Sequence, residues 1–291
     1  MTIDPTAVGR IGAVRERSWD PSDAILYALG VGCGACDPSG VDLEFTTENS
    51  HGIAQEVLPT FALVLGLGDD CLAHAGDFDR SRMVHGSQRI RLYEPLAPEG
   101  SITVTDRISA IWDKGKGKHA LIEITSEGTR TSSGEPVLET VATLLVREGG
   151  GFGGEPGPST ASSPPPARDP DVVLTYPTRV DQALVYRLSG DRNPLHSDPW
   201  FAAKAGFPKP ILHGLCTYGM AGRALLSGLC DGDPARFGAM SGRFASPVFP
   251  GEHLTTRAWR DGHGATFEVT ASGDDRLVLD AGTFSYATGS P

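Results

Sequence analysis

The chain carries the same short patterns twice, in the same order, and that repetition restricts its fold more than any single motif does. Residues 23–32 read DAILYALGVG and residues 181–190 read DQALVYRLSG. Each begins on an acid, sets Leu and Tyr at helical spacing and stops at glycine, a common helix end. Further along, each copy has an apolar, helix-like segment: LPTFALVLGLG from Leu58 and HGLCTYGMAGRALLSGL from His213. Then RLYEPLAPEG from Arg91 answers RFASPVFPGE from Arg243, sharing Arg and Pro-x-x-Pro. An ordered set of matches argues for internal duplication where one match would not.

After the Pro-x-x-Pro element both copies alternate apolar and polar residues, as in SITVTDRISAIW and HALIEIT, then LTTRAW, ATFEVTAS and LVLDAGTFSYA. Period two is the pattern of half-buried strands. Each half thus reads as a central helix wrapped by a curved antiparallel sheet, an α+β arrangement that buries both apolar faces. Between the halves lies a stretch of Gly, Pro and Ser that has too little apolar surface to offset its ordering entropy. The expected division is residues 1–147, a linker at 148–172, and residues 173–291.

Charge and cysteine usage limit the partners. A net charge of −11 and a pI near 5.1 argue against nucleic acid and anionic membrane surfaces. The longest apolar runs fall far short of the ~20 residues that cross a bilayer. Five cysteines make an odd count without a dense framework, and no secretory leader opens the sequence, so the expectation is a cytoplasmic, reduced protein.

Several motifs match a pattern but not its context. GVGCGA from Gly30 and GKGKHA from Gly115 fit a loose dinucleotide fingerprint, yet one follows a helix and the other sits in a hairpin turn. CGAC, Cys33 to Cys36, follows a helix and has no second ligand pair nearby, so two small thiols are expected there, neither a redox pair nor a zinc site. DKGKGK places Lys114, Lys116 and Lys118 on a hairpin tip; on charge alone this is a solvated turn, with a phosphate contact as the alternative.

SGDRNPLH, from Ser189, is different. Gly190 ends a helix, and Asp191, Asn193 and His196 follow within six residues. Pro194 fixes its own φ and biases Asn193 toward extended geometry, so an acid and an imidazole are held at a set separation. Two such groups can hold one water, one taking a proton and the other giving one. A helix cap explains less of this set, because Ser197 or Asp198 is better placed to cap the segment that follows. Downstream, Pro208 and Pro210 stiffen the approach to an apolar helix that opens at His213 and Gly214. The free amides of a helix start suit an oxygen that gains negative charge. The Gly214 amide is the expected donor, whereas His213 reads as a packing residue.

These residues resemble a known family. YRLSGDRNPLHSDPWFA, residues 186–202, is similar to the motif of the hydratase 2 enzymes, the MaoC-like (R)-specific enoyl-CoA hydratases: an aromatic, a small residue, G-D-x-N-P-x-H, then Ala or Ser at Ala202. YALGVG, VLPTFA, HGSQ, DKGKGK, HGLCTYG and RFASPVFPGE extend the resemblance over nearly the whole chain, to the two-repeat, eukaryotic-type members. The resemblance implies a double hot-dog fold and a hydro-lyase acting between trans-2-enoyl-CoA and (3R)-3-hydroxyacyl-CoA, with neither metal nor redox cofactor. It implies Asp191 and His196 as the catalytic pair, Asn193 as their support and Gly214 as the donor to the thioester oxygen. It also implies His85, Gly86, Lys114 and Phe244 in holding acyl-CoA. The first repeat has VGCGACDP where the second has SGDRNPLH, so one active site per chain is expected, with a degenerate repeat that leaves room for a long or bulky tail. An acyl carrier protein thioester in place of CoA, and a homodimer, accompany the resemblance. A hot-dog thioesterase or a non-catalytic acyl-thioester-binding subunit is the rival, and the complete G-D-x-N-P-x-H argues against both.

Overall fold

The computed structural model describes residues 2–35, 40–158, 164–262 and 264–287. Two short strands, β1 (Thr2–Ile3) and β3 (Gly76–Asp77), pair as a small ladder of their own. The main sheet takes β2 (Arg15–Trp19), β4 (Met83–Leu92), β5 (Gly100–Asp113), β6 (Ala120–Arg130) and β7 (Pro136–Val146) from the first half. From the second it takes β8 (Val172–Pro177), β9 (Phe237–Phe244), β10 (His253–Arg260), β11 (Gly264–Ala271) and β12 (Arg276–Tyr286).

These ten strands form one antiparallel sheet in the order β2-β5-β6-β7-β4-β9-β12-β11-β10-β8. Read inward from either edge, the two halves have the same layout, with β8-β10-β11-β12-β9 repeating β2-β5-β6-β7-β4. They join at β4 and β9, where Arg89 faces Ser241. Arg91 and Arg243, matched in the sequence, each lie two places beyond that pair on their own strand. The duplication is therefore the symmetry of the sheet, a double hot-dog.

The helices are α1 (Pro21–Gly30), α2 (Leu43–Thr46), α3 (Ala62–Leu65), α4 (Gln182–Tyr186), α5 (Pro199–Lys204) and α6 (Gly214–Cys230). Asp20 and Asp23 cap α1 reciprocally. α6 is buried nearly all round, as a helix apolar on every face must be. Its Tyr218 is fully buried and donates to the Met240 carbonyl at 2.5 Å, so the hydroxyl is not stranded in the core. One hydrophobic cluster runs from Trp19, Tyr27 and Phe61 of the first half through α6 to Phe267 of the second.

The two halves differ in their central helix. LPTFALVLGLG, expected to be helical throughout, gives only a 3-10 turn, Pro59–Phe61, and the four residues of α3. Two close approaches explain the stop. A Cβ on Gly66 would stand 2.7 Å from the Thr140 side chain, and one on Gly68 would run into the Arg15 guanidinium. The interior that a second long helix would need is taken by α6, whose Gly222 lets Thr60 in so closely that a Cβ there would come within 2.4 Å of Thr60 Cγ2.

The linker also departs from expectation, for its first part is held rather than loose. The Asp113 carboxylate accepts from the amides of Gly115, Gly151 and Gly153 at 2.7–2.8 Å. Phe152 packs on the smaller cluster formed by Ile3, Cys71, Leu72 and Ile108. Further on, the Trp259 indole donates to the Arg168 carbonyl at 2.9 Å. Residues 159–163 of the linker lie outside the described residues, as does Cys36 of the C-x-x-C. Cys33 is buried, and burial pushes its thiol up to about 12.

Candidate active site

The catalytic candidates stand on the loop between α4 and α5. A 3-10 turn, Arg187–Ser189, follows α4 and stops at Gly190, whose φ of 130° suits glycine alone. The chain then turns on its own side chains. Asp191 Oδ1 accepts from the Asn193 amide at 3.1 Å, and Asn193 Oδ1 accepts from the Leu195 amide at 3.0 Å. Asn193 thus caps the 3-10 turn Pro194–His196, and Asp198 caps α5. The cap that seemed too little to explain Asp191 and Asn193 does employ one carboxylate oxygen and the amide oxygen. It leaves Asp191 Oδ2 for chemistry.

His196 is buried, and its Nδ1 lies 2.9 Å from the Ile211 carbonyl oxygen. A carbonyl can only accept, so Nδ1 carries the proton and Nε2 presents a lone pair. Burial lowers this imidazole below its ordinary pKa, against the Ile211 hydrogen bond and the Asp191 charge, which raise it. His213, one residue before α6, is buried more deeply still. Its Nε2 donates to the Asp191 carbonyl oxygen at 3.1 Å, and its ring stacks on His196 with centroids 3.7 Å apart. Asp191, His196 and His213 bring polar side-chain atoms within 4.8 Å of one another. The two rings lie 28° apart in plane.

α6 begins at Gly214 without a side-chain cap, and the His213 carbonyl accepts from the Cys216 and Thr217 amides at 3.1 and 3.2 Å, so no side chain blocks the Gly214 amide. The Phe244 ring lies over this point: a Cβ on Gly214 would stand 3.1 Å from it. Phe244 in turn meets His85 across the β4–β9 junction, ring centroids 4.9 Å apart. The loop, the helix start and the junction of the halves therefore face one site.

The chain matches two family descriptions, an MFE-2 hydratase 2 N-terminal domain over residues 18–148 and a MaoC like domain over residues 161–278. It is 48% identical to 3-hydroxyacyl-thioester dehydratase Y of Mycobacterium tuberculosis, over 99% of this chain and 100% of that one. It is 38% identical to the peroxisomal enoyl-CoA hydratase 2 of Arabidopsis thaliana, over 90% of this chain and 88% of the relative. The crystal structure of a MaoC-like dehydratase from Phytophthora capsici superposes with a TM-score of 0.86 at 30% identity, covering 98% of both chains. This chain belongs to the MaoC-like hydratase 2 family.

Within this hydratase 2 chain the remaining expected residues fall in different places. His85 and Gly86 sit at a bulge in β4, where the register slips between His85 and Ser87. The bulge re-aims a side chain. His85 is held down to about 4 by burial, which outweighs hydrogen bonding to Ser87 and Gln88 and the charge of Asp191. Its Nε2 is buried without a partner. Lys114, expected at a ligand headgroup, instead donates to the carbonyl oxygens of Pro156 and Pro158, each at 2.6 Å. Carbonyls leave the ammonium charge unneutralised, but they fix where it points.

Sequence reasoning took His213 for packing and overlooked Arg187 and Ser189. Arg187 Nε, Ser189 Oγ and His213 Nδ1 are buried without partners, around the same loop. The signal for His213 was its position immediately before a helix start. Where the first repeat lacks the catalytic pair, its loop is tied down by α6: Arg223 donates to the Gly32 carbonyl at 2.9 Å and pairs with Asp42 at 2.6 Å.

Proposed function

We propose that this hydratase 2 chain is an (R)-specific hydro-lyase that adds water across the C2–C3 double bond of trans-2-enoyl-CoA and removes it from (3R)-3-hydroxyacyl-CoA. The observation that carries the reading is the convergence of Asp191, His196 and the uncapped Gly214 amide on one site. Asp191 Oδ2 and His196 Nε2 hold a water between them. The water oxygen bonds to C3, one of its protons passes to the pair, and a proton from the pair reaches C2. The electron pair of the double bond passes through an enolate whose oxygen rests on the Gly214 N–H. Dehydration runs the same steps backward.

Roles follow for the neighbours. Asn193 keeps Asp191 in place through the loop. Phe244, His85 and Gly86 shape the acyl-thioester entry at the junction of the halves, and Lys114 contributes positive charge near the CoA headgroup. Residues 173–291 supply the chemistry, and residues 1–147 supply the wall of the acyl and CoA pocket. The proposed reaction uses neither metal nor redox cofactor, because Asp191 and His196 hold the water and carry its protons. Among the described residues no helix is long and apolar enough to cross a membrane. We infer a cytoplasmic homodimer that takes CoA thioesters, with acyl carrier protein thioesters as the other carrier of the same chemistry.

The test is hydration of an enoyl-CoA followed by loss of its conjugated absorbance, with chiral analysis of the product. The 3R alcohol is expected. Release of free thiol without hydration would overturn the reading in favour of a thioesterase.

A further inference from the structure

The structure assigns His213 a part in the reaction: it is a positioning residue that fixes both members of the catalytic pair at once. Two contacts carry this. Its Nε2–H donates to the main-chain carbonyl of Asp191, on the loop that presents the carboxylate. Its ring lies flat on His196, centroids 3.7 Å apart. The residue also precedes Gly214, the first residue of α6. One side chain therefore ties the carboxylate loop and the imidazole to the helix start that receives the thioester oxygen. Sub-ångström placement of three groups is what preorganised acid–base catalysis requires, and neither an Ile211 carbonyl nor an Asn193 cap spans all three.

The contacts also set proton positions. Because the Asp191 carbonyl can only accept, the His213 proton lies on Nε2 and its Nδ1 is a lone pair, buried without a partner. The His196 proton lies on Nδ1 by the same logic, toward Ile211. The groups facing His213 are His196 in the 3-10 turn, Asp191 and Arg187 on the loop and its approach, and Tyr186 of α4, whose ring centroid is 5.0 Å away. Burial first, then the charges of His196 and Arg187, disfavour a protonated His213, while Asp191 favours it; the net direction is down. His213 therefore stays neutral while His196 gains and loses its proton. It excludes water from one face of that ring without competing for the proton.

The inference rests on the hydratase reading, and the experiment separates the two. Nitrogen NMR of histidine-labelled wild-type protein near neutral pH is expected to show His213 neutral with its proton on Nε2, and His196 neutral with its proton on Nδ1. His213→Phe keeps a ring against His196 but loses the hydrogen bond to Asp191. It is expected to lower kcat about tenfold with KM little changed, and to leave the acid limb of the kcat profile in place. His213→Gln keeps a polar donor but uncovers His196. It is expected to move that limb upward toward the ordinary histidine value, as desolvation is relieved. A charged His213, or its proton on Nδ1, overturns the inference whether or not the variants fold. So do folded variants with wild-type kcat and a wild-type limb. Failure of the wild type to hydrate any enoyl thioester would instead overturn the hydratase reading, leaving the tautomers as a structural result.

Discussion

His85 of the first half meets Phe244 of the second edge-on, ring centroids 4.9 Å apart, and Phe244 in turn covers Gly214. The first repeat thus reaches the candidate site by aromatic contacts, this one at the seam of the sheet and another from Tyr27 to Tyr186, whose ring lies 5.0 Å from that of His213. Gly214→Ala would place a methyl 3.1 Å from the Phe244 ring, tighter than an ordinary contact. The ring or the helix start must shift by a few tenths of an ångström. Gly214→Ala is expected to lower kcat about tenfold, a fraction of what losing a whole oxyanion donor costs. Adding Phe244→Leu, which relieves the contact, should return part of it. Steady-state kinetics on both check this; because alanine keeps the backbone N–H, a Gly214→Ala enzyme with full activity would show that the Phe244 ring gives way without moving the helix start.

Substitutions in the proposed catalytic pair are expected to give the sharpest loss. Asp191→Asn keeps an oxygen for the Asn193 amide, so the loop is preserved while the base is removed. His196→Gln removes the proton carrier. Either change is expected to lower kcat by roughly 10²–10⁴, with KM and melting temperature little changed. The double variant should be scarcely worse than the poorer single, because groups that act as one unit are not additive. Near-normal turnover in either folded single would reduce SGDRNPLH to a structural turn.

Acid should weaken the fold through His85. Its imidazole is lowered from 6.5 to about 4 in the folded chain, with burial as the largest cause. Between those values the unfolded chain binds the extra proton and the folded one does not, so stability rises with pH across the window and is lost as pH falls through it. His85→Gln removes this linkage. Its melting temperature is expected to fall less than that of the wild type between pH 6.5 and pH 4. Parallel curves for the two proteins would show that His85 titrates normally.

What the sequence made legible was local. The local settings of Asp191, His196 and Gly214, a proline-fixed loop and a helix start, could be read because they are set by neighbours in the chain. The two antiparallel halves could be read because the duplication repeats the alternation; the strand order itself comes from the structure. The contacts of His213 were not legible because its partners are distant: Asp191 lies 22 residues away, and the His196 ring joins it only by folding. The shortness of α3 was equally hidden, since a helix-like pattern does not reveal that Thr140 stands against Gly66. Composition read the Gly-rich start of the linker as free chain, whereas its Gly151 and Gly153 amides converge on the single carboxylate of Asp113.

Lys114 joins these two kinds of residue, and one variant tests both of its roles. Its ammonium holds the Pro156 and Pro158 carbonyls, so it clasps the linker to the tip of the β5–β6 hairpin. A phosphate outcompetes a neutral carbonyl for an ammonium, because the hydrogen bond then joins opposite charges. Lys114→Ala is expected to raise KM for CoA thioesters severalfold with kcat little changed, since headgroup contact is uniform binding. Short thioesters that lack the nucleotide should show no such rise. The same change should speed proteolytic cleavage between residues 148 and 158, because the clasp is lost. Lys114→Arg keeps the charge and donors and should restore both properties in part. Faster cleavage with unchanged KM would make Lys114 a structural clasp alone; an equal rise in KM for long and short thioesters would mean that the linker, rather than the charge, shapes the entry.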